Sequence, residues 1–490
     1  MSRVVIHLLL TLAFLAGAFN CFSALPADAA DFVVNPYVQL GPRSPSANSL
    51  PSVTVQWGAV DSDRDFQVEW RNKGDTQWNA CPRPTFRRVA PRNLTPFRLY
   101  STEISGINSG AAIQFHVLVN RRGVFDGSCI APKTSGDKQT FAVFGDIGVG
   151  SLPQGAIARQ VQKAHPDYAV LTGDLVYGSG TISEYLRNWF PIMNASDLGV
   201  ISGAALMSST LVVAAAGNHD LIMSNNLGAT PDGLGYFIFW SQPLNGPGQS
   251  GKPNTTPIQG TQSELTAFRK AAGDNFPRMA QFSFDYGNAH WTVVDANPYM
   301  DWTNAELRSW LEKDLAAAKD KQWRFVALHQ APFTSNWTHM EEQRMRLICD
   351  ILEKGKVDIV FSGHDHNYER SYPLRFAIDK TVGTKALPTI PGSLQLDKSF
   401  DGKSDSTPDG VIYVVTGAGG APLTIGRHLN VPYKVQPYTQ KLIAQPHSFT
   451  LCEISGGKLK LRQISAFGLE LDSITIDKAA EAQTSRSAAH

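Results

Sequence analysis

The sequence predicts an all-β sandwich over roughly its first third, followed by an α/β domain. Three observations predict this architecture. Apolar and polar residues alternate with period two between Asp31 and about Cys129. After Gln139 short apolar runs alternate with helix-like segments. Five polar, mostly glycine-led segments then each follow an apolar run, as ligand-bearing loops do at strand ends in α/β sheets.

In the first region Val53, Val55 and Trp57 alternate with Thr54 and Gln56, and Phe66, Val68 and Trp70 with Gln67 and Glu69. This pattern predicts strands with one buried face. Pro132 to Lys138 is polar and turn-rich, a linker. Beyond it Phe141 to Phe144, Tyr168 to Thr172, Leu211 to Ala216, Arg324 to Leu328 and Val357 to Phe361 read as strands. Gly155 to Ala164 and Met340 to Lys354 read as helices. A third helix opens at Thr303, where Glu306 three residues on forms a capping-box signature, and Leu307, Trp310, Leu311 and Leu315 share one face. Three strand-like runs follow from His447 to Ile476. Two long excursions, Leu221 to Ala280 and Lys380 to Asp409, exceed ordinary loop length; the first is expected to shape a cleft rim.

The full chain of 490 residues is too long for one ordinary domain. The expected division is a signal peptide at 1–29, a β-sandwich at 31–133, a catalytic domain at 139–478 and a polar tail at 479–490. Arg3, the apolar run Val4 to Phe19 and Ala27-Asp28-Ala29 form the three parts of a secretory signal. The mature protein is therefore expected to be secreted or periplasmic, without stable membrane insertion after cleavage. Cys81, Cys129, Cys349 and Cys452 remain after the leader. The first two are candidates for a bridge. The other two are candidates for a second bridge or for buried thiols. With 44 basic against 43 acidic residues, the formal charge is +1, so no basic excess argues for a nucleic-acid partner.

The chemistry resides in the five strand-end segments: Gly145-Asp146-Ile147-Gly148, Gly173-Asp174-Leu175-Val176-Tyr177, Gly217-Asn218-His219-Asp220, His329-Gln330-Ala331-Pro332 and Gly363-His364-Asp365-His366. Together they place histidines, aspartates, an asparagine and a tyrosine on one rim. That set is too polar for a core and rich in metal-ligating types.

In this order the segments resemble the calcineurin-like metallophosphoesterases, and within them the purple acid phosphatases. Asp146-Ile147-Gly148 lacks the histidine of the common Asp-x-His segment, and Tyr177 supplies a different ligand, as in the purple acid phosphatase pattern. Gly363 to Arg370 matches that group's Gly-His-x-His-x-Tyr-Glu-Arg. The resemblance implies a calcineurin-like αββα sandwich domain behind a fibronectin III-like β-sandwich. It assigns Asp146, Tyr177 and His366 to a first metal, Asn218, His329 and His364 to a second, and Asp174 to a bridge between them. The donor types suit Fe(III) in the first position and a divalent Fe, Zn or Mn in the second. Such a centre hydrolyses small phosphate monoesters by in-line attack of a metal-bound hydroxide. His219 and His339 are the candidates for binding substrate or protonating the leaving group. Phosphodiesters or nucleotides at the same site are the nearest alternative substrates. A non-catalytic binding protein on this fold would be expected to have lost ligands, whereas all seven positions are filled. Gly417 to Gly420, another strand-end glycine run, reads as a plain turn, since no Lys and Ser/Thr follow as in a P-loop.

Overall fold

The computed structural model describes residues 32–45, 50–196, 203–247, 254–379, 389–424 and 435–478. The expected signal peptide and the polar tail lie outside the described residues.

Two 4-stranded antiparallel sheets form the N-terminal sandwich. One sheet runs Phe32–Gln39, Val53–Val60, Phe97–Ile104, Thr85–Val89 in spatial order; the other runs Asn79–Ala80, Phe66–Asn72, Ala112–Val119, Arg122–Ile130. Trp57, Phe66, Tyr100, Phe115 and Val117 fill the space between them. Phe66–Asn72 alternates buried and half-buried residues as its pattern predicts. Val53–Val60 does not, because seven of its eight residues are buried. The reason is a second packing partner: Gln56 Nε2 donates to Tyr37 Oη at 2.7 Å and to the carbonyl of Phe239 at 3.2 Å. Phe239 belongs to the excursion after Leu221. Arg87 reinforces this junction, donating to the carbonyls of Ala271, Ala272 and Ile238. Much of the excursion therefore anchors the sandwich to the second region.

Two further sheets stack face to face behind the sandwich. A 6-stranded sheet has the order Leu211–Ala214, Tyr168–Leu171, Lys138–Phe144, Ser448–Ser455, Lys458–Ser465, Glu470–Asp477. A 7-stranded sheet has the order Phe282–Tyr286, Ala289–Val293, Trp323–Ala327, Ile359–Ser362, Ile412–Thr416, Tyr368–Ser371, Thr439–Ile443. Phe141, Val143 and Tyr168 of the first pack against Trp291, Phe325 and Phe361 of the second. Leu152–Lys163 covers the outer face of one sheet, and Ala305–Ala317 with Cys349–Lys354 covers that of the other. The layers are helix, sheet, sheet, helix. The three C-terminal runs are strands, added antiparallel to Lys138–Phe144.

Three local expectations are corrected. The four cysteines after the leader are free thiols, so no bridge joins Cys81 to Cys129, while Cys349 and Cys452 are the buried thiols that the sequence allowed for. Cys81 and Cys129 lie toward opposite edges of a sheet with two strands between them, and Cys349 and Cys452 belong to different cores. The helix expected from Met340 begins later: Arg344–Ile348 is a 3₁₀ turn and Cys349–Lys354 the α-helix. Residues ahead of it are drawn into the loop described below. The cap of Ala305–Ala317 is Asn304, whose side chain accepts from the amides of Glu306 and Leu307. Thr303 instead donates to Asp301 at 2.6 Å. Among the described residues no helix is long and apolar enough to cross a membrane.

Candidate active site

Lys138–Phe144, Tyr168–Leu171 and Leu211–Ala214 are parallel neighbours, as are Trp323–Ala327 and Ile359–Ser362. The five segments leave their carboxyl ends and meet at one edge of the two-sheet core. Turning there requires unusual backbone. Asp146, Asp174 and His364 adopt left-handed φ values of 58°, 49° and 70°, conformations that non-glycine residues hold only when their surroundings enforce them. The chains also pass very close. A Cβ on Gly217 would fall 2.1 Å from Asp174 Oδ1, and one on Gly173 2.7 Å from His329 Nδ1. Glycine at these two positions is a packing requirement.

The seven residues expected to carry ligand atoms converge into two adjoining groups. In the first, Tyr177 Oη lies 2.8 Å from Asp146 Oδ1 and 2.8 Å from His366 Nε2, and His366 Nε2 lies 3.4 Å from Asp146 Oδ1. In the second, His329 Nε2 lies 3.0 Å from Asn218 Oδ1, 3.2 Å from Asp174 Oδ1 and 3.3 Å from His364 Nδ1. Atoms bound to one ion at about 2.0–2.2 Å are separated by about 3 Å, so both groups have the spacing of a coordination shell.

Their protons make the case stronger than the distances do. His366 Nδ1 donates to the carbonyl of Pro422 at 2.7 Å, and His329 Nδ1 to that of Thr172 at 2.7 Å. A ring whose Nδ1–H is committed presents its lone pair at Nε2. One phenol proton of Tyr177 therefore serves two acceptors. With the ring neutral, the lone pair of His329 would face an amide oxygen and a carboxylate oxygen. Such sets of acceptors are unfavourable unless a cation lies among them. The same field acts on the titrating groups. Burial disfavours charge on His329, but Asp174 and Asp146 outweigh it and raise the ring to about 10; Asp146 likewise raises His366 to about 8 against burial. Burial and the neighbouring Asp146 and Asp174 push the Tyr177 phenol well above its ordinary value. Burial would raise Asp174 too, yet His329, His219 and His364 hold it well below the carboxylate range. Protons and metal ions answer the same demand for positive charge, and the donor types fit metals.

His219 and His339 flank the two groups. The His219 ring lies 4.5 Å from the Tyr177 ring and donates through Nδ1 to the carbonyl of Gly178 at 2.8 Å. The His339 ring stacks on His364 at 3.9 Å. Their side chains remain 26% and 28% exposed, whereas His329 is fully buried. Both rings therefore reach the surface beside the two donor groups.

Residues 139–368 match the family described as calcineurin-like phosphoesterase. This region is a calcineurin-like phosphoesterase. An uncharacterized protein of Mycobacterium tuberculosis is 26% identical over 282 residues, 56% of this chain and 45% of that protein. Purple acid phosphatase 23 of Arabidopsis thaliana is 35% identical over 94 residues, 18% of this chain and 20% of its own length. A solved purple acid phosphatase from yellow lupin (Lupinus luteus) superposes with a TM-score of 0.64 at 17% identity, covering 90% of this chain and 74% of that one. The last likeness bears on fold. The chain spans under half the length of the mycobacterial relative. Phosphoesterases of this family imply a binuclear metal centre, in accord with the two groups of facing donors.

In the sequence Tyr368, Glu369 and Arg370 stand out only as part of a motif, without a role, and Glu342 is not singled out. Glu369 accepts from the Ser335 amide at 2.8 Å and its hydroxyl at 2.7 Å, pinning the loop that carries His339. Tyr368 and Arg370 both donate to Asp472 at 2.8 Å. The Tyr-Glu-Arg run thus acts as a bracket for the edge. Glu342 Oε2 lies 3.5 Å from His364 Nε2, which explains why the chain there is drawn out of the expected helix. Gly417 to Gly420 is a structural turn: Gly419 and Ala421 donate to the carbonyls of Gly145 and Asp146. The adjacent Pro422 orients His366. His447 bonds the carbonyl of Ala421 at 2.9 Å, a supporting role.

Proposed function

We propose that this protein is an exported binuclear phosphomonoesterase of the purple acid phosphatase type. The observation that carries the reading is the pair of facing acceptor groups, one of them containing Tyr177 between Asp146 and His366. Asp146, Tyr177 and His366 would hold Fe(III), and Asn218, His329 and His364 a divalent Fe, Zn or Mn. Asp174 lies beside both groups and would bridge them. When bound, two metals activate water, orient the phosphoryl group and offset charge on the entering and leaving oxygens. The chain does the rest. The carbonyls of Thr172 and Pro422 fix the ligand tautomers, the left-handed turns hold the carboxylates, and His219 and His339 meet the ester. A phosphate monoester small enough to reach the recessed edge is the substrate class. Export rests on the leader at 1–29, and the regions 31–133 and 139–478 would remain joined through the Tyr37, Gln56 and Arg87 contacts.

The test is a visible absorption spectrum with metal content on the same sample, for wild type and Tyr177→Phe. Two metals per chain and a charge-transfer colour lost in Tyr177→Phe are expected, with hydrolysis of aryl phosphates by the wild type. A colourless, active, two-metal protein would refute iron at Tyr177. A protein that neither binds metal after reconstitution nor hydrolyses phosphate esters would refute the enzyme.

A further inference from the structure

We propose that Asp365 is a positioning residue that holds the ring of His339, one of the two candidate proton donors of the phosphoesterase reading, with Nε2 turned toward the ester. The inference rests on the phosphoesterase reading above and goes beyond it by naming the buried residue that orients one of the two exposed histidines.

Asp365 lies between His364 and His366, yet it joins neither group of facing donors. Its side chain is completely buried and reaches His339 Nδ1, 2.6 Å from Oδ1. Oδ2 is buried without a hydrogen-bond partner. A buried carboxylate is expensive to hold, and an apolar residue would serve packing better. The contact it makes is with one ring. That ring is fixed from a second side by its stack on His364, and its backbone amide donates to Asn336 at 3.0 Å. With Nδ1–H committed to Asp365, Nε2 is the nitrogen left to serve the ester. His219 is held differently: its Nδ1 meets the neutral carbonyl of Gly178, and its Nε2 lies 3.9 Å from Asp174.

The step balances as follows. A water oxygen forms the new bond to phosphorus while the ester P–O bond breaks, its electron pair remaining on the alkoxide oxygen. That oxygen takes the proton from His339 Nε2. The attacking water releases a proton to solvent, and solvent reprotonates the ring. The products are alcohol and inorganic phosphate.

The measurement compares kcat/KM for p-nitrophenyl phosphate, whose leaving group needs little protonation, with that for an alkyl phosphate, which needs it fully. Asp365→Ala, Asp365→Asn, His339→Ala and the double variant Asp365→Ala/His339→Ala are assayed as metal-loaded proteins. Asp365→Ala should lose about tenfold more activity on the alkyl ester than on the aryl ester. Asp365→Asn, which keeps an oxygen acceptor for Nδ1–H, should recover part of it, and it carries the test if the alanine variant does not fold. In the His339→Ala background the second change should matter by less than about twofold. A crystal structure of the metal-loaded Asp365 variant should place the His339 ring off its stack on His364. Equal losses on both esters, full additivity, an unmoved ring or a loss of bound metal would each overturn the proposal. A wild type that binds two metals and hydrolyses neither ester would refute the phosphoesterase reading, and with it the donor role. The crystallographic arm would then still decide whether Asp365 sets the ring.

Discussion

Two clusters of histidine and carboxylate, one at the strand ends and one between a strand of the 7-stranded sheet and the helix Ala305–Ala317, meet their charges differently. At the strand ends, acceptors face acceptors: Tyr177 between Asp146 and His366, and His329 Nε2 between Asn218 and Asp174. Around His290 every acceptor has its donor. Nδ1 lies 2.8 Å from Asp285, Nε2 3.0 Å from Asp314, Thr292 donates to Asp314 at 2.7 Å, and Lys321 pairs with Asp285 at 3.0 Å. Two carboxylates meet one imidazolium and one ammonium, so the charges cancel. The His290 cluster is complete within the chain. The strand-end donors carry no fixed positive charge of their own, so protons taken up by His329 and His366, or metal ions in their place, complete the set. Counting histidines and aspartates does not distinguish them; following each proton does.

The largest expected effect comes from removing Asp174, the residue proposed to bridge the two donor groups. Asp174→Ala should lower kcat/KM on phosphate esters on the order of 10³-fold and drop bound metal below the wild-type content. Its unfolding free energy in the metal-free state should change little in proportion. Full metal retention would break the comparison, because the strand-end cluster would then not depend on Asp174. The converse experiment is His290→Ala. It leaves Asp285 and Asp314 without their shared cation, a loss of about 3 kcal/mol in unfolding free energy, while metal content stays at the wild-type level.

A pH series sharpens the same contrast. Burial lowers the His290 pKa, but Asp285 and Asp314 outweigh it and raise it from 6.5 to about 9. Its contribution to stability is therefore complete below about pH 6.5 and is lost as pH rises through about 9. Asp285 is shifted the other way: burial pushes it up, and His290 with Lys321 more than compensates. That part is present above its unfolded value of 3.8 and is lost as pH falls below it. Chemical denaturation of wild type against His290→Ala should show the difference between them shrinking above pH 7. A constant difference up to pH 10 would mean that the ring is not held charged.

What the sequence made legible follows from periodicity and punctuation. The strands that end in Asp146, Asp174, Asn218, His329 and His364 are short apolar runs closed mostly by glycine, and buried parallel strands leave that signature. The segments that converge were therefore visible before their geometry was. Contacts between distant parts were not. Gln56 looks like part of a solvent face because nothing local announces Phe239 as its partner. Met340 to Gln343 has helical composition, but Glu342 faces His364 and Gln343 accepts from Ile390, so the helix starts later. Asp365 was present in the Gly-His-Asp-His run. What marks it is the buried contact with His339, 26 residues away in sequence.

The smallest effect tests how a local signature is overruled by a neighbour. Thr303 and Glu306 have the spacing of a capping box, and Asn304 is an equally good cap one residue on. The choice is made by Asp301, whose Oδ1 takes the Thr303 hydroxyl at 2.6 Å and its amide at 3.0 Å. Thr303 is thereby held in the turn before the helix, and Asn304 Oδ1 is left to accept from Glu306 and Leu307 at 2.9 and 3.2 Å. Asn304→Ala should cost about 1 kcal/mol of unfolding free energy, and Thr303→Ala less. Asp301→Ala frees Thr303 and should restore it as an alternative cap, so Asn304→Ala should cost less in that background. An undiminished cost there would mean that helix register, and not competition for Thr303, selects the cap.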